Sequence, residues 1–389
     1  MPTGRTVFAQ LMDVIPRRGF ETCVQRYRGQ HRVHSFSCYD QFLCMAFAQL
    51  TYRESLRDIE TCLRAMQAKL YHAGLRGRVS RSTLADANET RDWRIYADFA
   101  QILIRRARRL YLNEPFAVEL AQTAYAFDAT TIDLCLALFP WAQFRRRKAA
   151  VKLHTLLDLR AQIPCFVAIT DGKVADVTLL DALMVEPGAF YILDRGYTDF
   201  GRLYSLAQGL AFFVIRGKRG LDYARRVSRP VDKTTGLRSD QTITLCGPKT
   251  ATLYPDPVRR ISYVDLDTGQ RFVFLTNNFT LPALQIAQLY QCRWQVELFF
   301  KWIKQHLRIK AFYGTSVNAV KIQVWIAISV YVLVAILKKE LQLPRSLSDI
   351  LQILSITLFE RMPIPEVLTT FSTQDPMGGS CNQLPLFDH

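Results

Sequence analysis

Residues 290–305 read YQCRWQVELFFKWIKQ. Aromatic and aliphatic side chains dominate, yet Tyr290, Arg293, Glu297, Lys301 and Lys304 share the stretch. On a helix turning about 100° per residue, these five and Arg308 fall on a stripe roughly 80° wide. Trp294, Val296, Leu298, Phe299, Phe300, Trp302 and Ile303 cover most of the remaining circumference. An ordinary amphipathic helix has the opposite balance. The pattern therefore predicts a buried helix with one narrow polar band facing a cleft. A carboxylate among cations suits a cleft that takes a phosphodiester backbone and a divalent ion, the cations binding phosphate and the carboxylate binding metal. The stripe fits a helix laced with i,i+4 ion pairs, such as Glu297–Lys301, equally well.

Two further carboxylates bear on that choice. Asp128 lies in YAFDATTIDL, with apolar neighbours on one side and Thr on the other. Asp194 follows the apolar run in FYILDRGY. Both are expected at strand ends, where a carboxylate is costly unless paired or metal-bound. Two strand-borne Asp and one helix-borne Glu are what a Mg²⁺ pair needs to stabilise the attacking and leaving oxygens of phosphoryl transfer. Asp133, Asp158, Asp171 and Asp176 read as cap or turn residues.

Outward from these residues, the chain divides by hydrophobic period. Residues 1–115 repeat apolar positions at three and four, as in FAQLMDVI, QFLCMAFAQL and SLRDIETCLRAM, with Ser55 and Ser82 as N-cap candidates. Basic loops and the run Arg105, Arg106, Arg108, Arg109 suit a helical DNA-binding domain, and a plain bundle with a solvated charged face is the alternative. Short Val-, Ile-, Leu- and Phe-rich runs alternate with helical segments over 116–216, an α/β layout. Alternating segments with Gly and Pro between them, such as SDQTITLCG, RRISYVDLD and QRFVFLTNN, mark 217–277 as a β-rich insertion. Helical pattern returns over 278–320, with Pro282 near its start, and continues into a helical C-terminal region and tail over 321–389.

Fifty Lys and Arg against 34 Asp and Glu give a formal charge of +16, which predicts an acidic partner. The run IQVWIAISVYVLVAIL, 322–337, is shorter than the roughly 20 residues a spanning helix needs and is interrupted by Gln323 and Ser329, so a buried helix is expected and no membrane partner. With no export signal in the first 20 residues, the expected compartment is the cytoplasm and the expected partner nucleic acid. Nine scattered cysteines without a CxxC read as reduced thiols, and the six histidines form no zinc pattern.

The spacing Tyr290, Arg293, Glu297, Lys304 resembles the YREK signature of bacterial insertion-sequence DDE transposases, the cut-and-paste insertion-sequence-four group. FDATTIDL and ILDRGY are similar to that family's segments for the first and second Asp. The resemblance implies a ribonuclease-H-like catalytic core interrupted by the insertion. It implies Asp128, Asp194 and Glu297 as catalytic residues holding two Mg²⁺ or Mn²⁺ ions. Tyr290, Arg293 and Lys304 would grip DNA near the scissile bond, with Arg195 and Arg216 as secondary phosphate contacts. The implied partners are double-stranded DNA, as terminal inverted repeats and target, and a second copy in a homodimer on the ends; the protein would work at the bacterial nucleoid. The implied activity is metal-dependent cleavage at element ends, then joining of the 3′-OH to target DNA. Some relatives hold a flipped base on an aromatic residue of the insertion. No Trp lies between Trp141 and Trp294 here, leaving Tyr254, Tyr263 or Phe272 for that role. A nuclease of the same fold without strand transfer, and a non-catalytic DNA-binding descendant, are the rival readings.

Overall fold

The computed structural model describes residues 4–31, 33, 35–75, 77–146, 148–306 and 312–369. The chain opens with helices α1 (Val7–Met12), α2 (Arg17–Arg26), α3 (Cys38–Leu50), α4 (Leu56–Ala65), α5 (Gln67–Leu70), α6 (Arg81–Thr90) and α7 (Arg94–Leu110). Their starts follow local chemistry. Ser37 and Asp40 form a reciprocal capping box on α3, and Ser55 caps α4 as expected. On α6 the cap is Ser80, which accepts from the Thr83 amide; Ser82 lies inside the helix instead.

Strands follow: β1 (Ala124–Leu134), β2 (Gln143–Arg145), β3 (Lys148–Asp158), β4 (Ile163–Asp171), β5 (Phe190–Leu193) and β6 (Phe212–Arg216). Helix α8 (Phe200–Gln208) links β5 to β6, the crossover that a parallel pair requires. The stretch expected as an insertion holds β7 (Tyr223–Arg229), β8 (Leu237–Leu245), α9 (Pro248–Leu253), β9 (Val258–Val264) and β10 (Arg271–Thr276). All ten strands form one sheet in the order β2-β3-β1-β5-β6-β10-β9-β8-β7, with β4 also paired to β3. β1, β5 and β6 are parallel, whereas β3 runs antiparallel to both β1 and β4. Since β10 pairs with β6, these strands prolong the main sheet.

Period-two alternation splits the central strands between two cores. Phe127, Tyr191, Leu193 and Phe213 join the core on the α8 side. Ala126, Phe190, Ile192 and Val214 join the opposite core, shared with the N-terminal helices and with α10 (Ala283–Gln291), α11 (Trp294–His306), α12 (Val317–Glu340), α13 (Leu347–Thr357) and α14 (Ile364–Thr369).

The long apolar run belongs to α12, buried along most of its length against protein. It packs on α3, α6, α7 and α13. Its two polar interruptions are satisfied: Gln323 accepts from the Tyr313 amide at 2.9 Å, and Ser329 donates to the Trp325 carbonyl at 2.9 Å. Tyr111 donates to the Ala335 carbonyl at 2.8 Å, Arg106 pairs with Glu340 at 2.6 Å, and Asn318 donates to the Arg91 carbonyl at 2.6 Å. Residues 1–115 and α12 thus share one core, although the sequence periodicity alone separates them.

That shared core makes a test. A fragment covering 1–115 leaves the α12-facing sides of α3, α6 and α7 open to water. It is expected to lack near-ultraviolet circular dichroism and a cooperative urea transition. A sharp transition with native-like near-ultraviolet signal would contradict the packing.

Candidate active site

Parallel pairing of β1 with β5 ends at Phe127↔Leu193. Asp128, the next residue of β1, and Asp194, the residue just after β5, are therefore brought side by side. Phe127 and Leu193 belong to the α8-side core, so alternation turns the two carboxylates toward α11. Asp194 ends its strand as expected. Asp128 does not: it is the fifth residue of an eleven-residue strand that stays paired with β3 to Leu134. What ends beside it is β5, and the missing neighbour opens a notch.

The signature stretch is two helices, not one. The break falls at Cys292–Arg293, where the Arg293 amide donates to the Tyr290 carbonyl at 3.1 Å, an i→i−3 bond. The single stripe therefore divides. Tyr290 closes α10 and points at Asp194, its hydroxyl donating to Oδ1 at 3.0 Å. Arg293, at the junction, turns back into the notch. Its Nη1 pairs with Asp128 Oδ2 at 2.9 Å and its Nη2 with Glu297 Oε1 at 2.7 Å. The i,i+4 partner of Glu297 is thus Arg293, and not the Lys301 of the alternative reading.

On α11, Val296, Phe299, Phe300 and Ile303 are buried as expected, but Trp294 and Leu298 are exposed. Lys304 donates from Nζ to the Thr131 carbonyl on β1 at 2.9 Å. Asp128, Thr130, Glu297, Lys301 and Lys304 line an open cleft of about 490 Å³. Arg308 lies outside the described residues. Arg195 follows Asp194 in a one-turn 3₁₀ segment, and its Nε has no partner among the described residues. Arg216 follows Ile215, the partner of Leu193 in the β5–β6 register, so it lies beside Asp194, and its guanidinium covers the Phe272 ring at 4.9 Å. Phe274 links it to the site, packing on the Tyr290 ring at 4.8 Å. Of the aromatics considered for holding a base, Tyr254 is buried against Tyr204 and Phe213, and Tyr263 is buried as well. Only Phe272 of the three is partly exposed.

Electrostatics set the character of the notch. Burial pushes Asp128 up to about 6; the Ala129 amide and Arg293 pull it down, and Asp194 and Glu297 add to the rise. Burial also opposes the charge on Arg293, but Tyr290, Asp128 and Glu297 outweigh it and hold its pKa above the usual value. Burial pushes Tyr290 up to about 12, with Arg293 opposing and Asp194 contributing, so its hydroxyl stays protonated as a donor.

Among the described residues, no three His, Cys, Asp or Glu side chains stand close enough to share an ion. A cation nevertheless already joins two of the three carboxylates, as the Arg293 guanidinium bridging Asp128 and Glu297. Tyr290 holds the third beside them. All the donors are hard carboxylate oxygens, the type that Mg²⁺ and Mn²⁺ prefer. In donor type, the three carboxylates fit a hard divalent ion.

Residues 119–333 match the model of the transposase DDE domain, over half of the chain. This chain belongs to the transposase DDE domain family. Residues 3–76 of the transposase match a second model, a domain of unknown function, DUF4372. A Sinorhizobium fredii protein bearing the name transposase y4zB is 33% identical over 288 residues, 73% of this chain and 79% of that one. A Geobacillus stearothermophilus protein named for the transposase of insertion sequence element IS5377 is 31% identical, over 53% of this chain and 54% of that one. The solved piggyBac transposase synaptic complex with hairpin DNA aligns over 97% of this chain and 86% of that chain, at 10% identity and a TM-score of 0.43, too distant to bear on the fold. DDE transposase domains generally use divalent metal ions, in keeping with the carboxylates in the notch.

Replacing Arg293 by Gln in this transposase leaves Asp128 half-enclosed without its counter-charge. The metal-free protein is expected to lose about 1–3 kcal/mol of stability in urea with EDTA present. Most of that loss belongs to Asp128, because Glu297 is largely exposed. Millimolar Mg²⁺ should narrow the gap. Equal stability of the two proteins in EDTA would show that the bridge contributes nothing.

Proposed function

We propose that this transposase cleaves the ends of its element by metal-dependent phosphodiester hydrolysis and joins the freed 3′-OH to target DNA. The observation that carries the reading is the register at Phe127↔Leu193, which sets Asp128 beside Asp194 and, through Arg293, beside Glu297. The core is ribonuclease-H-like. Its support is the order β4-β3-β1-β5-β6 with β3 alone reversed. The core spans 116–216 and 278–320, interrupted by the strands of 217–277. The helices of 1–115 recognise terminal inverted repeats, and two copies act together on a pair of ends. The signature is YREK, and the element belongs to the insertion-sequence-four group. The working compartment is the bacterial cytoplasm, at the nucleoid.

Asp128, Asp194 and Glu297 would hold two Mg²⁺ or Mn²⁺ ions. Bound there, the ions supply Lewis-acid contacts to the attacking oxygen and to the leaving 3′ oxygen. The protein's own part is orientation. Arg293, freed from the two carboxylates, turns its guanidinium to a phosphate near the scissile bond, where its planar fork suits two oxygens. Tyr290 holds the Asp194 carboxylate in one orientation through its protonated hydroxyl. Lys304, at the cleft wall, supplies a further phosphate contact, and Arg195 and Arg216 extend the cationic path.

Asp128→Ala, Asp194→Ala and Glu297→Ala should each abolish cleavage of a labelled end duplex while binding it within a few-fold of the parent. A variant that cuts normally removes that residue from the ligand set. The parent should also form a joined product with target DNA. Cleavage without joining would favour the nuclease reading, and binding without cleavage the non-catalytic one.

Lys304→Ala should weaken end binding and lower the slope of log affinity against log salt by about 0.9. An unchanged slope would make Lys304 a structural tie to Thr131.

A further inference from the structure

Thr155 lies on β3 directly across from Asp128 in the antiparallel ladder. Opposed residues in such a ladder share a face, and their Cβ atoms are about 4.5–5.5 Å apart. Thr155 is therefore a cross-strand neighbour of Asp128, on the side that faces α11. The next residue back, His154, opposes Ala129 on the other face, where it bonds Thr170. Thr155 is completely buried. Among the described residues its hydroxyl has no hydrogen-bond partner. A buried hydroxyl left unpaired is unfavourable, and Val has the same shape without that penalty.

We infer that Thr155 is a positioning residue for Asp128. The inference rests on Asp128 being a metal carboxylate. Asp128 Oδ1 accepts from the Ala129 amide and Oδ2 from Arg293. When the guanidinium leaves, Oδ2 loses that donor. The Thr155 hydroxyl, on the residue directly opposite, would then donate to the vacated oxygen. The bond then fixes the carboxylate plane for the ion, as outer donors do for other ligating carboxylates. The hydroxyl is thus unpaired in one state because it is needed in the other.

The test uses the full chain with Thr155→Val and Thr155→Ser. Three quantities are measured: urea stability in EDTA, Mn²⁺ affinity by titration calorimetry, and the cleavage rate of an end duplex at saturating DNA. Thr155→Val should be as stable as the parent or more so. It should bind Mn²⁺ about 10-fold more weakly and cleave more slowly by a similar factor, with half-saturating DNA unchanged. Thr155→Ser, which keeps the hydroxyl, should recover Mn²⁺ affinity and rate. Parental Mn²⁺ affinity and rate in Thr155→Val would overturn the role. So would a loss of stability in Thr155→Val that Thr155→Ser does not repair, because packing would then explain it. Asp128→Ala separates the two levels. If it binds Mn²⁺ as tightly as the parent, the metal reading fails, and this role fails with it.

Discussion

The site is organised around one guanidinium. Arg293 reaches Asp128 on a strand and Glu297 on a helix at once, and so sets the distance between elements 165 residues apart in sequence. Several carboxylates facing one notch repel one another, and burial raises the cost of the charge on Asp128. An internal cation resolves this without metal. It also creates a competition, because the oxygens that hold Arg293 are those a divalent ion would take. A phosphate is the natural second partner for the displaced guanidinium. On the proposed mechanism, metal and DNA binding are linked through the same side chain, each favouring the other.

The break between α10 and α11 makes this geometry possible. On one continuous helix, Tyr290 and Glu297 would look into the same cleft from the same face. The tightened turn at Cys292–Arg293 gives each its own direction: Tyr290 toward Asp194, Arg293 toward Asp128. The sheet supplies the other half. Because β5 stops at Leu193 while β1 continues, two carboxylates share an open end of the sheet, with β3 supporting one of them from behind.

Much of this was legible in the sequence. The spacing of Tyr290, Arg293, Glu297 and Lys304 singles out the segment that meets the two Asp. The turn of hydrophobic period near 120 marks where helices give way to strands. Other features were not legible, for physical reasons. Nothing in YQCRWQVE breaks a helix by propensity, so the interruption at 292–293 is imposed by tertiary contacts. Trp294 and Leu298 read as core by hydrophobicity alone, yet single exposed apolar residues are ordinary. Tyr254 looked free to stack on a base because composition carries no depth, and it lies against Tyr204 and Phe213. The contact of α12 with α7 joins segments more than 200 residues apart, which no local pattern encodes.

The central claim is that Asp128, Asp194 and Glu297 form a metal site that Arg293 occupies in the absence of metal. Anomalous diffraction at the manganese edge, from crystals grown with an end duplex and Mn²⁺, tests it most directly. The account predicts anomalous peaks among the three carboxylates, with the Arg293 guanidinium moved onto a phosphate. Peaks elsewhere, with Arg293 still bridging Asp128 and Glu297, would contradict it.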